Sequence, residues 1–223
     1  MPGTLALSQD EEAAVRAALS KFPLRDQALV ELLLGSGYRV TEALSLTVTD
    51  VWSAGKVKGR VIVQRASMKG GRSPWRRVVT ARTVLLNARV VAALERYLFS
   101  RFGSAAPVDP TEPLFKSRSM GGAVSRWRVN KLIHEVIEAA GIDARRGTGQ
   151  FGAHSFRKTF AKNIYRKSGN DLALTRIAMN HTSICTTQRY LPISSEEVDE
   201  IVLSLGAEEV KSKAARGESR LEA

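Results

Sequence analysis

The sequence predicts a mostly α-helical fold with one small antiparallel β-sheet, an α+β class. Three observations carry this. Apolar residues recur at helical spacing near both ends of the chain, as in Val15, Ala18 and Leu19 or Val198, Ile201, Val202 and Leu205. β-Branched residues concentrate in one central stretch, from Val57 to Val84. Glycine and proline punctuate the rest, and the 43% hydrophobic content of 223 residues is enough for one sizeable core.

Taken in order, Ser8 followed by Glu11 is a capping box and opens a helix over about 9–20. A second helix, about 24–34, is almost continuous in Leu, Val and Ala and is therefore expected at the centre, with Gly35 and Gly37 ending it. Thr41 to Leu46 reads as a short helix. From Val48 the pattern turns to β, with Val57, Val61, Ile62 and Val63 before a Gly-Gly-Arg-Ser-Pro turn and Val78, Val79 and Val84 after it: about three strands. Asn87 caps a helix over 88–101 with Val91, Leu94 and Leu98 as its stripe, and Pro107, Pro110 and Pro113 make 103–113 a loop. Helices follow near 125–140, 155–167, 171–179 and 183–190. A last amphipathic segment spans 195–205, and the charged, apolar-poor 206–223 reads as a disordered tail.

Thirty-four Lys and Arg against 22 Asp and Glu leave a net charge of +12, spread from Arg16 to Arg189, which points to a polyanionic partner, nucleic acid above all. One cysteine excludes a disulfide framework, and three histidines with that cysteine give no metal-ligand spacing. No apolar run approaches a membrane span, and acidic residues arrive too early for a signal peptide. The expectation is a cytoplasmic protein without metal or cofactor.

The chemistry-bearing residues lie late in the chain. In His154-Ser155-Phe156-Arg157 the three-residue spacing sets His154 and Arg157 on one helical face, within reach of one anion, while Phe156 and Phe160 turn to the core. Alone, such a pair is more often a surface feature. A second histidine, His181, precedes Tyr190 by nine residues in a Thr-rich, basic run, Thr186-Thr187-Gln188-Arg189-Tyr190. A lone tyrosine is usually a hydrogen-bonded packing residue; this one sits in a longer word.

That word, Gly-Ala-His154-Ser-Phe-Arg157 followed by Asn180-His181 and Tyr190, resembles the tyrosine recombinase (phage integrase) family. Leu33-Leu34-Gly-Ser-Gly-Tyr-Arg39-Val-Thr-Glu42 resembles the family's first-arginine motif. The resemblance covers about residues 8–205 and implies a tyrosine recombinase catalytic-domain-like fold over 1–205. It also implies site-specific DNA breakage and rejoining through a 3′-phosphotyrosine, without metal or ATP. Tyr190 would be the nucleophile, and Arg39 and Arg157 the phosphate-binding forks. His154 and His181 would be hydrogen-bond donors to the phosphate, His154 also assisting proton transfer. Glu42 would orient Arg39 from behind. The family's lysine acid matches Lys69 in Ser67-Met68-Lys69-Gly70-Gly71; counting back from Arg82 lands on Arg77 instead, but a guanidinium is a poor proton donor, which favours Lys69.

Two departures stand out. Asn180 replaces the family's glycine before the second histidine, a mild change because Asn tolerates left-handed backbone. The family's N-terminal DNA-clamping domain has no counterpart before the first motif. The remaining candidates read as structural: Gly35-Ser-Gly37 is a turn, His134 a surface or packing residue, and Cys185 a small buried residue. Double-stranded DNA is the expected partner, with a tetramer on DNA assembled through 195–205. A type IB topoisomerase and a non-catalytic DNA-binding protein are the competing functions.

Overall fold

A computed structural model of the chain describes residues 3–64, 81–103, 109–118, 121–146, 149–191, 202 and 204. The chain divides into one compact unit of residues 1–190 and a second of 191–223. In the second, the described residues Val202 and Ser204 are helical and Val202 is exposed. The expected helix over 195–205 and the tail after it otherwise lie outside the described residues.

Local capping chemistry sets the first unit's helices. The Ser8–Glu11 box forms as expected and opens α1 (Gln9–Ala18), which runs into a 3-10 turn over Leu19–Lys21. Next comes α2 (Leu24–Ser36), buried on all sides from Ala28 to Ser36, as its continuous apolar run requires. Each leucine buried there, Leu29, Leu32, Leu33 and Leu34, stabilises the fold by about 1.5–3 kcal/mol. α5 (Ala88–Phe102), capped by Asn87, packs across α2 from one side and α7 (Ser155–Lys167) from another.

Gly35 does not end α2 as expected; it lies inside the helix. A Cβ there would come within 2.4 Å of Val90 Cγ2 and 2.7 Å of Asn87 Nδ2, so glycine is what lets the start of α5 approach. The helix ends at Gly37, whose φ of 61° is the left-handed cap conformation.

Between α2 and α5 run α3 (Val40–Leu44) and a one-turn α4 (Val48–Val51), where β-structure was expected. Thr47 and Asp50 close a capping box around that turn, with the Thr47 N–H donating to Asp50 Oδ2 at 2.8 Å, and this local pairing overrides the β preference of the valines. β2 (Trp52–Ser53) pairs antiparallel with β3 (Lys56–Val57), and β4 (Arg60–Val63) pairs antiparallel with β5 (Arg82–Leu85). Val57 thus belongs to a ladder of its own rather than to one three-stranded sheet; Val78 and Val79 lie outside the described residues. In the β4–β5 register Val61 faces Val84 and Val63 faces Arg82, all four buried, while Ile62 and Leu85 point to solvent.

After α6 (Arg126–Ala139, capped by Ser125) come β6 (Arg145–Arg146) and β7 (Gly149–Gln150). These join β1 (Gly3–Thr4) in a further small sheet in which β1 runs parallel to β7, an association that two-residue strands do not announce in sequence. It fastens the start of the chain to α7: Lys158 Nζ donates to the Thr4 carbonyl at 2.7 Å, and the Leu7 N–H donates to Thr159 Oγ1 at 2.9 Å. α8 (Leu172–Ala178) and α9 (Ile184–Gln188) complete the unit. The described residues contain no helix long and apolar enough to cross a membrane.

Candidate active site

The site forms where three chain segments end against one another: the end of α2, the start of α7 and the turn between α8 and α9. Arg39 precedes α3, and its backbone N–H donates to Glu42 Oε2 at 2.9 Å while its Nη1 donates to Glu42 Oε1 at 2.6 Å. The Glu42 carboxylate is wholly buried. It also faces Arg82 Nη1 at 3.7 Å and Arg157 Nη1 at 4.0 Å, so three guanidinium groups surround one carboxylate. Glu42 thereby contacts Arg39 through both backbone and side chain and compensates the charge of the other two.

Arg157, in the first turn of α7, is buried to 1% exposure. Its Nη1 donates to the Gly37 carbonyl and its Nη2 to the Met179 carbonyl at 2.8 Å. Nη2 also lies 3.1 Å from His181 Nε2. A guanidinium only donates, so Nε2 accepts there and the ring proton sits on Nδ1, which donates to Thr187 Oγ1 at 2.9 Å. His181 is therefore neutral: burial first, then Arg157, Arg39 and Arg82, lower it to about 4. Burial and Arg39 likewise pull Arg157 below its ordinary value, opposed by Glu42.

His154 occupies the N-cap position of α7 without a capping bond from its side chain, which remains accessible. Partial desolvation, then the positive field of Arg157, Arg39, Arg126 and Lys158, lowers its pKa and favours the uncharged imidazole. Asn180 adopts φ 50°, the left-handed conformation its side chain tolerates, and turns the chain from α8 into His181. α9 then brings round Tyr190, whose half-buried ring lies 5.2 Å from the His181 ring at 51°, with Lys158 Nζ 6.0 Å from its centre. The Tyr190 N–H donates to the Thr187 carbonyl at 2.9 Å, so the threonine that orients His181 also fixes the tyrosine's backbone.

Of the residues singled out in the sequence, Arg39, Glu42, Arg157, His181 and Tyr190 thus meet in one contact network, with His154 beside it. Lys69 and Arg77 lie outside the described residues. His134 is on the surface. Cys185 is exposed, not buried: it faces out from α9 while Thr187 two residues on takes the interior position. Among the described residues no group of three or more His, Cys, Asp or Glu is placed to hold a metal ion.

Three residues escaped the sequence reading. Thr187 carried a signal, standing three residues before Tyr190 on one helical face. Arg82 carried one too, since it shares the inward parity of Val84 on β5. Lys158 carried none, because its reach to Tyr190 depends on how α7 and α9 pack.

Relatives share this architecture. The chain is 32% identical to the tyrosine recombinase XerC of Pelobacter propionicus (strain DSM 2379 / NBRC 103807 / OttBd1) over 81% of its own length and 51% of the relative's. It is 30% identical to XerD of Corynebacterium glutamicum over 80% of its own length and 51% of the relative's. It therefore spans about half the length of these relatives. Among solved structures, XerA recombinase superposes with a TM-score of 0.66 at 25% identity, covering 91% of this chain and 63% of that one. XerH site-specific recombinase in a post-cleavage complex with palindromic difH substrate gives 0.68 at 24% identity, over 91% and 53%, a likeness of fold. Residues 6–197 match the phage integrase family, and the chain belongs to that family.

Proposed function

We propose that the chain catalyses strand cleavage and rejoining in site-specific recombination of double-stranded DNA. The observation that carries this reading is the convergence on Glu42 of Arg39 and Arg157, with His181 bonded to Arg157 and its ring tilted against that of Tyr190. Two permanently charged forks converging beside a histidine that meets a tyrosine suit a phosphodiester in the act of substitution. The Tyr190 phenol oxygen forms a bond to phosphorus, and the bond from phosphorus to the 5′-oxygen breaks. The phenol proton passes to neutral His154, and the departing 5′-oxygen takes one from Lys69, leaving a 3′-phosphotyrosine and a 5′-hydroxyl. The two arginines offset the charge gathering on the non-bridging oxygens, without a role for a metal ion. Rejoining reverses these steps, and the energy stored in the phosphotyrosine replaces ATP.

The relatives named XerC and XerD support exchange of strands rather than relaxation of one duplex. We place the reaction on cytoplasmic, nucleoid-borne DNA, in a tetramer whose protomers join through residues 195–205.

The test uses a nicked duplex selected from a randomised library by binding to this chain, so that cleavage traps the covalent complex. Wild type should yield a Tyr190 adduct that EDTA leaves unchanged, and Tyr190→Phe none; an adduct persisting in Tyr190→Phe would falsify the nucleophile assignment. Lys69→Ala should lose cleavage and regain it on a 5′-bridging phosphorothioate, whose thiolate departs unprotonated. Failure of that rescue moves the acid role off Lys69.

A further inference from the structure

Arg82 is buried at the first position of β5, six-hundredths exposed, with no part in the chemistry just described. Its single nitrogen Nη2 donates to the carbonyls of Ser36 at 3.0 Å and Ala178 at 2.8 Å. The next residue on each of those segments is used by Arg157, which donates to the carbonyls of Gly37 and Met179. The two arginines are therefore successive rungs between the same two strips of backbone. One strip, 36–37, leads into Arg39; the other, 178–179, leads into His181. Arg82 Nη1 makes no hydrogen bond among the described residues and faces Glu42 at 3.7 Å, and the guanidinium lies 5.4 Å over the Tyr38 ring.

Stability gives little reason for this arrangement. Burying a guanidinium costs desolvation that packing with an apolar side chain would avoid, so a buried ion pair is weak evidence of a stabilising role. What the apolar substitute could not do is hold two backbone strips in register. β5 also closes the described part of the β4–β5 hairpin, where Arg82 pairs with Val63, and the chain between those two residues includes Lys69.

We infer that Arg82 is a positioning residue for strand cleavage: it locks the Arg39 segment to the His181 segment, and so sets Arg157 and His181 against the scissile phosphate. The inference rests on the recombinase reading for its effect on rate, but the lock itself belongs to the free protein.

Two variants separate the charge of Arg82 from its bridging. Arg82→Met removes both. Arg82→Lys keeps a cation facing Glu42, while its side chain ends one bond short of the place of Nη2. At saturating nicked duplex, single-turnover adduct formation should fall about 100-fold in Arg82→Met, the scale expected when a reacting group is misplaced by about an ångström. Arg82→Lys should fall roughly 10-fold, with DNA affinity and melting temperature close to wild type. A methylphosphonate at the scissile position, which removes a charge that Arg157 must meet, should narrow both gaps. In the DNA-free protein, the ring-nitrogen NMR signals of His181 should move in both variants, because the Nδ1–H form depends on Arg157 being held.

Arg82→Lys with wild-type cleavage and unmoved His181 signals overturns the proposal, even if Arg82→Met fails to fold. So does a rate loss that tracks the melting temperature and ignores the methylphosphonate, which marks a purely structural residue. If wild type forms no Tyr190 adduct while the His181 signals still move, the recombinase reading fails and the lock stands.

Discussion

His181 shows how a side chain's neighbours decide its charge. Its Nε2 accepts from Arg157, its Nδ1–H is spent on Thr187, and burial with three arginines nearby lowers it to about 4 against an ordinary 6.5. The linkage follows in sign. As pH falls below about 6.5 the unfolded chain takes up a proton that the folded chain refuses, so stability that is complete above that pH is lost on the way down to 4. The slope approaches ~1.4 kcal/mol per pH unit. Urea unfolding between pH 7 and 5 should show it, and His181→Gln should flatten it only partly, because His154 is lowered in the same direction. A slope unchanged by the substitution would place the titration elsewhere. At this scale the motif residues were legible because fixed spacings wrote them out. Arg82 was not: its significance lies in two carbonyls 46 and 96 residues away along the chain.

Among the elements, the end of α2 concentrates the constraints. Gly37 sits at φ 61°, its carbonyl holds Arg157, and a Cβ on it would lie 2.4 Å from Phe160 Cδ1. The backbone conformation alone costs a non-glycine residue about 1–2 kcal/mol, and moving the Phe160 ring adds to that. Gly37→Ala should therefore lower unfolding stability by at least about 1–2 kcal/mol and slow adduct formation, since a strained turn displaces the backbone carbonyl that holds Arg157. A variant as stable and as fast as wild type would mean the turn is looser than its contacts indicate. The helices capped at Ser8 and Asn87 were readable from sequence because caps are local. The turn at Val48, the position of Gly35 within a helix and the β1–β7 pairing were not. Each depends on a partner that propensity does not see: a capping box stronger than β-branching, a neighbouring helix, and a strand at the other end of the chain.

For the molecule as a whole, the net charge of +12 has to be reconciled with a site that buries two of its cations. Arg82 and Arg157 are withdrawn into the protein and balanced by Glu42, so the attraction to DNA that the proposed function requires must come from the remaining, accessible basic groups. Binding of DNA by this chain should weaken by more than about tenfold between 50 and 200 mM salt, in proportion to the phosphates contacted. A filter-binding titration reads the slope, and a flat response would show that charge is not what holds the duplex. The chain spans about half the length of its XerC and XerD relatives, and the slope measured is that of these 223 residues.

The exposure of Cys185 has a practical reach. It is the sole thiol in the sequence, it stands outward on the five-residue helix that delivers Tyr190, and its interior neighbour Thr187 leaves it free of any packing duty. A maleimide dye will therefore attach at one known point without any other cysteine being engineered away. Its anisotropy would follow, in real time and in the native sequence, whether the helix ahead of Tyr190 tightens when a duplex arrives.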